Sequence, residues 1–157
     1  MIHIIMYKAA YRDDFIYLNR QWIETYFRIE PSDLDTFSHV EDIVKNGGQI
    51  FLALNGDDRV VGCCALKHHV KDDTYELAKM EVSPEYQGRH IGHELLRTLL
   101  AYAQAHGVRR IFLEGNTQLE ASIALYRSMG FYEKPLQGKA YDRCDILMEW
   151  TDALVRG

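Results

Sequence analysis

Apolar residues recur along this chain with two periods, and each change of period marks the border of an element. Residues 1–7 are rich in isoleucine and predict a first strand. Asp13 or Asp14 can cap a helix in which Phe15, Leu18, Trp22 and Tyr26 form the buried stripe. Residues 27–37 break that pattern and read as an acidic loop carrying Glu30, Asp33 and Asp35 around Pro31. Ser38 and Glu41 have capping-box spacing and predict a short second helix stopped by Gly47 and Gly48. Strands follow over 49–54 and 59–69, joined at Asn55-Gly56, a strong hairpin signal. A turn at Lys71-Asp72-Asp73 leads into another strand over 74–82.

Strict alternation in 74–82 puts Glu76, Ala78, Met80 and Val82 on one face, and Leu77, Lys79 and Glu81 on the other, partly wet one. Glu76 is then an acid on the apolar face. Either it lies at the strand's start in solvent, or it stands at a pocket mouth where partial desolvation suits a carboxylate to general-base work. Ser83-Pro84 ends the strand. Beyond it Ile91, Leu95 and Leu99 form one helical row, and Leu96, Leu100 and Ala103 a second, up to a C-terminal cap at Gly107. A strand over 110–114 comes next. Thr117 and Glu120 form a second capping box, starting a helix near Gln118 that Gly130 closes. Strands over 131–134 and 144–150 flank a loop, and the tail from Thr151 is expected to fray. The order predicts an α/β fold with a mixed sheet.

Composition narrows the function classes. The 157 residues fit one domain spanning 1–157, and 47% hydrophobic with 26% charged residues is ordinary for a globular protein. A net charge of −5 argues against a nucleic-acid partner and mildly favours a basic substrate through steering. The three cysteines, Cys63, Cys64 and Cys144, match neither a zinc site nor a disulfide framework and point to a reducing, cytoplasmic setting. His68 and His69 are adjacent on a strand, face opposite ways and cannot grip one metal, so no metal is expected. The N-terminal stretch is apolar too briefly for a signal peptide or a membrane span.

The chemistry concentrates in the turn from Gln87 to Gly92. A helix start offers unpaired N–H groups and the positive end of a dipole, which together attract anions. Gly88 and Gly92 let the backbone approach a phosphate, and Arg89, His90 and His93 add positive charge. A plain bend would use the same glycines. The Lys-Ser/Thr ending of a P-loop and the glycine spacing of a dinucleotide site are both missing, which disfavours a nucleotide-binding protein.

Gln87 and Gly92, placed after a strand and a short turn, resemble motif A of the GNAT superfamily, the acyl-CoA-dependent N-acetyltransferases, whose pattern is Gln/Arg-x-x-Gly-x-Gly/Ala. His90 stands where that family usually has glycine, and its Cβ narrows the turn. Leu125-Tyr126, followed by Gly130-Phe131, resembles motif B, with Leu119 at the usual asparagine place and Ser122 at the alanine place. The resemblance implies a mostly antiparallel sheet flanked by helices, with a splayed central strand pair holding coenzyme A. It implies acetyl-CoA as co-substrate and direct acetyl transfer to an amine of a small molecule or peptide. Backbone groups of Met80, Glu81 and Val82 would pair with the pantetheine arm. Gln87 and the amides of Gly88, Arg89, His90, Ile91, Gly92 and His93 would hold the pyrophosphate, with Asn116 and Ser122 as further coenzyme contacts. Tyr126 would protonate the leaving thiolate, and Glu76 stands where some members carry the general base. Tyr26, Glu30, Asp33, Tyr141 and Arg143 are the implied acceptor contacts. Family members are often dimers, so a homodimer is among the expectations. The alternative is a noncatalytic coenzyme-A-binding regulatory module on the same fold, which the altered turn at His90 would suit. Cys63 and Cys64 could be proposed as acyl carriers, but strand cysteines are usually core residues.

Overall fold

The computed structural model describes residues 1–136 and 142–153. Its strands are β1 (His3–Met6), β2 (Gln49–Leu54), β3 (Val60–His69), β4 (Thr74–Val82), β5 (Arg110–Gly115), β6 (Tyr132–Lys134) and β7 (Ile146–Thr151). Its helices are α1 (Arg12–Tyr26), α2 (Pro31–Ser38), α3 (Val40–Lys45), α4 (Ile91–Ala105) and α5 (Glu120–Ser128). The strands form one seven-stranded sheet in the order β1-β2-β3-β4-β5-β7-β6. All neighbours are antiparallel except β4 and β5, which run parallel and share a single registered pair, Glu76 with Phe112. The mixed, mostly antiparallel sheet with a parted central pair is therefore present.

Two apolar layers sandwich the sheet. On one face Leu95, Leu96, Leu99 and Ala103 of α4 are fully buried with Leu66, Ile111 and Met148. Each such leucine contributes about 2 kcal/mol through its burial. On the other face Phe15 and Leu18 of α1 pack with Val40 and Ile43 of α3 over Ile50 and Leu52. No helix among the described residues is long and apolar enough to cross a membrane.

Several expectations need correction. The supposed loop over 27–37 contains α2, whose first turn carries Pro31 and whose capping box joins Glu30 to Asp33. Proline at the first helical position and an acid two residues later are start signals, not breakers. Ser38 consequently ends α2, and His39 rather than Ser38 precedes α3. Thr117 does not cap α5, because both its amide and its hydroxyl bond the Asp145 carboxylate, at 2.9 and 2.8 Å. Tyr26 lies at the exposed end of α1 rather than in its buried stripe. Thr151 and Asp152 are not frayed: both are buried, and Asp152 pairs with Arg109 at 3.2 Å.

The most consequential correction concerns β4. From Cys63 to Ala65 the register advances two residues on β3, while from Glu81 to Ala78 it advances three on β4. The extra residue is a β-bulge, and Lys79 adopts a left-handed φ of 54° within it. Faces therefore exchange at Lys79. Leu77 before the bulge and Met80 and Val82 after it all pack on the α4 side. Glu81 turns instead to the α1 side, beside Cys63. Neither Lys79 nor Glu81 is wet, at 8% and 4% exposure.

Candidate active site

Past the Glu76–Phe112 pair, β4 and β5 separate and leave a cavity of about 90 Å³ between them. Glu76, Met80 and Glu81 reach it from β4, and Ser122 and Tyr126 from α5. Trp22 and Phe27 close it at the end of α1, and Arg143 does so from the segment before β7.

The start of α4 lies beside the end of β4, with Gly92 facing Met80, Val82 and Leu125. The first α4-region amide to find a protein partner is that of Glu94, which bonds the His90 carbonyl at 3.1 Å. Among the described residues, the amides from Gly88 to His93 have none. Gly88 and His90 both hold left-handed backbone, at φ 79° and 62°, which bends the chain so that these N–H groups cluster. His90 thus adopts the conformation for which glycine is the usual choice, and the turn forms with its side chain in solvent. Gln87 ties the turn to the end of β4 through a 3.2 Å bond from Nε2 to the Val82 carbonyl. Arg89 lies over the Tyr86 ring at 4.8 Å, beside the turn. A Cβ on Gly92 would sit 3.4 Å from both Met80 Cε and Leu125 Cδ2, so a branched side chain there would push α4 off β4 and α5. An elongated anion with a narrow arm suits this arrangement. Replacing His90 by glycine should leave the turn intact and change stability by no more than about 1 kcal/mol, since relief of strain is offset by added freedom in the unfolded chain. Urea denaturation checks this.

The acids expected to contact the acceptor are engaged within the protein. Asp33 receives Arg143 at 2.7 and 3.0 Å, Lys79 at 2.8 Å and the Glu30 amide at 2.8 Å. Glu30 accepts from Arg143 at 3.1 Å and from the Asp142 amide at 2.7 Å. Burial of Asp33 would raise its pKa, but the bonds from Arg143 and Lys79 outweigh it and hold the carboxyl at about 2. Arg143 also stacks over Phe27, 5.9 Å away. Tyr26 packs on Trp22 at 5.4 Å, is not part of the cavity wall, and is half exposed. Tyr141 lies outside the described residues. Asn116 lines the cavity, but its amide is occupied, donating to the Arg143 carbonyl at 2.6 Å and accepting from the Gln118 amide at 2.8 Å.

Three carboxylate residues line the cavity, Glu114 of β5 with Glu76 and Glu81 of β4. Glu76 is buried and meets His69 Nε2 at 2.8 Å; His69 stacks on Phe112 and keeps 40% of its side chain in solvent. Glu81 is the one that alternation concealed. Its Oε2 accepts from the Cys63 thiol at 3.1 Å. Burial lifts its pKa from the ordinary carboxylate range to about 7, against the lowering effect of that thiol and of Lys79 and Arg143. Burial, with the Glu81 charge, also pushes the Tyr126 hydroxyl well up, so it stays protonated.

The sheet thus parts beside a helix start with open amides, with acids and a tyrosine at the gap. The profile of the acetyltransferase (GNAT) family matches residues 15–131, and the chain belongs to that family. The N-alpha-acetyltransferase RimI of Mycobacterium tuberculosis is 46% identical over 67 residues, which is 43% of this chain and 40% of that protein. The chain thus spans less than half the length of that curated relative. An acetyltransferase of the GNAT family from Staphylococcus aureus Mu50 superposes with a TM-score of 0.85 at 22% identity, over 96% of this chain and 99% of that one. The PaiA N-acetyltransferase of Thermoplasma acidophilum, solved in complex with coenzyme A, gives 0.74 at 19% identity, over 96% and 99%. These structural likenesses establish the fold.

Proposed function

We propose that the protein is an N-acetyltransferase that moves the acetyl group of acetyl-CoA directly to an amine. The single observation that carries this reading is the run of open amides from Gly88 to His93, whose Gly92 lies against Met80 where β4 has parted from β5. Those amides, with Gln87 and Arg89, bind the pyrophosphate. The free β4 edge at Met80 to Val82 binds the pantetheine arm, and one amide there meets the oxyanion. Ser122 and the backbone around Asn116 line the same gap.

An amine arrives as its ammonium ion. Glu76 takes that first proton and, through half-exposed His69, passes it to solvent. The nitrogen then attacks the thioester carbon, the C–S bond breaks towards sulfur, and Tyr126 protonates the thiolate. Glu30, Asp33 and Arg143 shape the acceptor wall as a linked unit, with Tyr26 at its rim. The thiols of Cys63, Cys64 and Cys144 are all buried, which suits a reducing cytoplasm, and Cys63 and Cys64, fully buried in β3, offer acyl carriage no accessible nucleophile.

The test is calorimetric titration with acetyl-CoA, followed by thiol release with a panel of amines: a free amino acid, a short peptide with a free N-terminus, and a polyamine. The buried cysteines keep the background of a thiol reagent low. Binding with amine-dependent release of coenzyme A is expected. Binding without release from any amine would favour the noncatalytic coenzyme-binding reading, and absence of binding would remove both.

A further inference from the structure

Acetylating an ammonium ion removes two protons from one nitrogen, one before attack and one from the tetrahedral adduct. Glu76 accounts for the first. Several features prepare Glu81 for the second. The bulge at Lys79 carries it out of the α4-side layer and onto the cavity wall shared with Tyr126. Asn19, fully buried on α1, donates from Nδ2 to Cys63 Sγ at 3.6 Å, and the single Cys63 S–H lies 3.1 Å from both Glu81 Oε2 and the Lys79 carbonyl. This chain from α1 through β3 fixes one carboxylate oxygen. The other, Oε1, has no hydrogen-bond partner among the described residues, and Glu81 stands on the cavity wall.

We infer that Glu81 is a second catalytic base, and that Cys63 is the positioning residue that aims it. Glu81 Oε1 takes the N–H proton of the adduct, and the electron pair of that bond stays on nitrogen. The C–S pair leaves with sulfur, which takes the Tyr126 proton. Glu81 returns its own proton to Tyr126 across the cavity, and the site is reset. The inference rests on the acetyl-transfer reading.

The groups facing Glu81 are Cys63 and Cys64 from β3, Lys79 beside it on β4, Asp33 from α2, Arg143 before β7 and Tyr126 from α5. Burial dominates their sum and sets the carboxyl at about 7, so it changes charge within the working range of pH.

The deciding experiment measures kcat and kcat/KM against pH with acetyl-CoA and the fastest amine of the panel, alongside acetyl-CoA titration, for the wild type, Glu81→Gln, Glu76→Gln, Cys63→Ser and Cys63→Ala. Glu81→Gln should lower kcat about 10²-fold or more, erase the acid limb near pH 7 and keep acetyl-CoA affinity. Glu76→Gln should recover as pH rises, because free amine then arrives already deprotonated. Cys63→Ser should stay close to wild type, whereas Cys63→Ala should move the acid limb upward. A Glu81→Gln enzyme with wild-type kcat and an unchanged acid limb overturns the inference while leaving acetyl transfer standing. A wild type that neither binds nor turns over acetyl-CoA removes the acetyl-transfer reading, and the inference with it.

Discussion

Replacing Asp33 by alanine is expected to destabilise the protein by about 3–5 kcal/mol, the usual cost of leaving buried charge without its partner. The side chain of Asp33 is fully buried, and those of Lys79 and Arg143 are 4% and 16% exposed. Alanine would take from Lys79 and Arg143 the carboxylate they share, in a region that water barely reaches, and leave Arg143 its bond to Glu30. The same change removes the acceptor of the Glu30 amide and with it half of the capping box of α2. A neutral asparagine keeps the cap and costs less. The pH dependence has a definite sign. The folded-state pKa lies near 2, below the ordinary 3.8, so the contribution of Asp33 is complete above the ordinary value and is lost as pH falls through about 2. Urea denaturation of the wild type and of Asp33→Ala at pH 7 measures the difference. A loss below about 1 kcal/mol would show that solvent reaches the cluster and screens it.

Glu81→Gln is expected to do the reverse and raise stability at pH 8, by about 3 kcal/mol, a figure that follows from a carboxyl lifted from 4.5 to about 7. Between those values the folded chain keeps a proton that the unfolded chain has released. Stability therefore falls as pH rises through this interval, and the cost is complete above pH 7 and absent below about 4.5. Glutamine has no proton to lose and escapes it. Thermal or urea unfolding of both proteins at pH 4 and pH 8 should find nearly equal stability at the lower pH and a more stable variant at the higher. Equal stability at both would mean that Glu81 is better solvated than its 4% exposure indicates. A residue that weakens the fold at neutral pH and sits at a reaction cavity fits the familiar opposition of stability and activity.

Much of this was readable in the residues. The rows of Leu95, Leu96, Leu99 and Leu100 placed α4 correctly because one long amphipathic helix has a period that no short-range effect disguises. Asn55-Gly56 placed the β2–β3 hairpin, and Gln87 to Gly92 located the open amides. What stayed hidden depended on pairing across space. A bulge adds one residue relative to a neighbouring strand, so β4 alone could not reveal it, and Lys79 has none of the glycine character that marks a positive φ. Once alternation slipped, Glu81 looked wet and Met80 changed company. α2 escapes a reading that takes residues 27–37 as an acidic loop, although Pro31 after Glu30 and two residues before Asp33 spells a helix start. The occupation of Glu30 and Asp33 by Arg143 could not be read either, since those partners lie more than a hundred residues apart in the chain.

The single pair that joins β4 to β5 has a mechanical meaning as well. Four strands lie on one side of it and three on the other, and each group is firmly laddered within itself. The sheet is in effect two plates meeting at one rung, with the α4-side core packed across both. A ligand arm laid along the β4 edge acts as a strut between the plates. Occupation of the gap would then stiffen the whole molecule, and the empty protein would be the more pliant of the two.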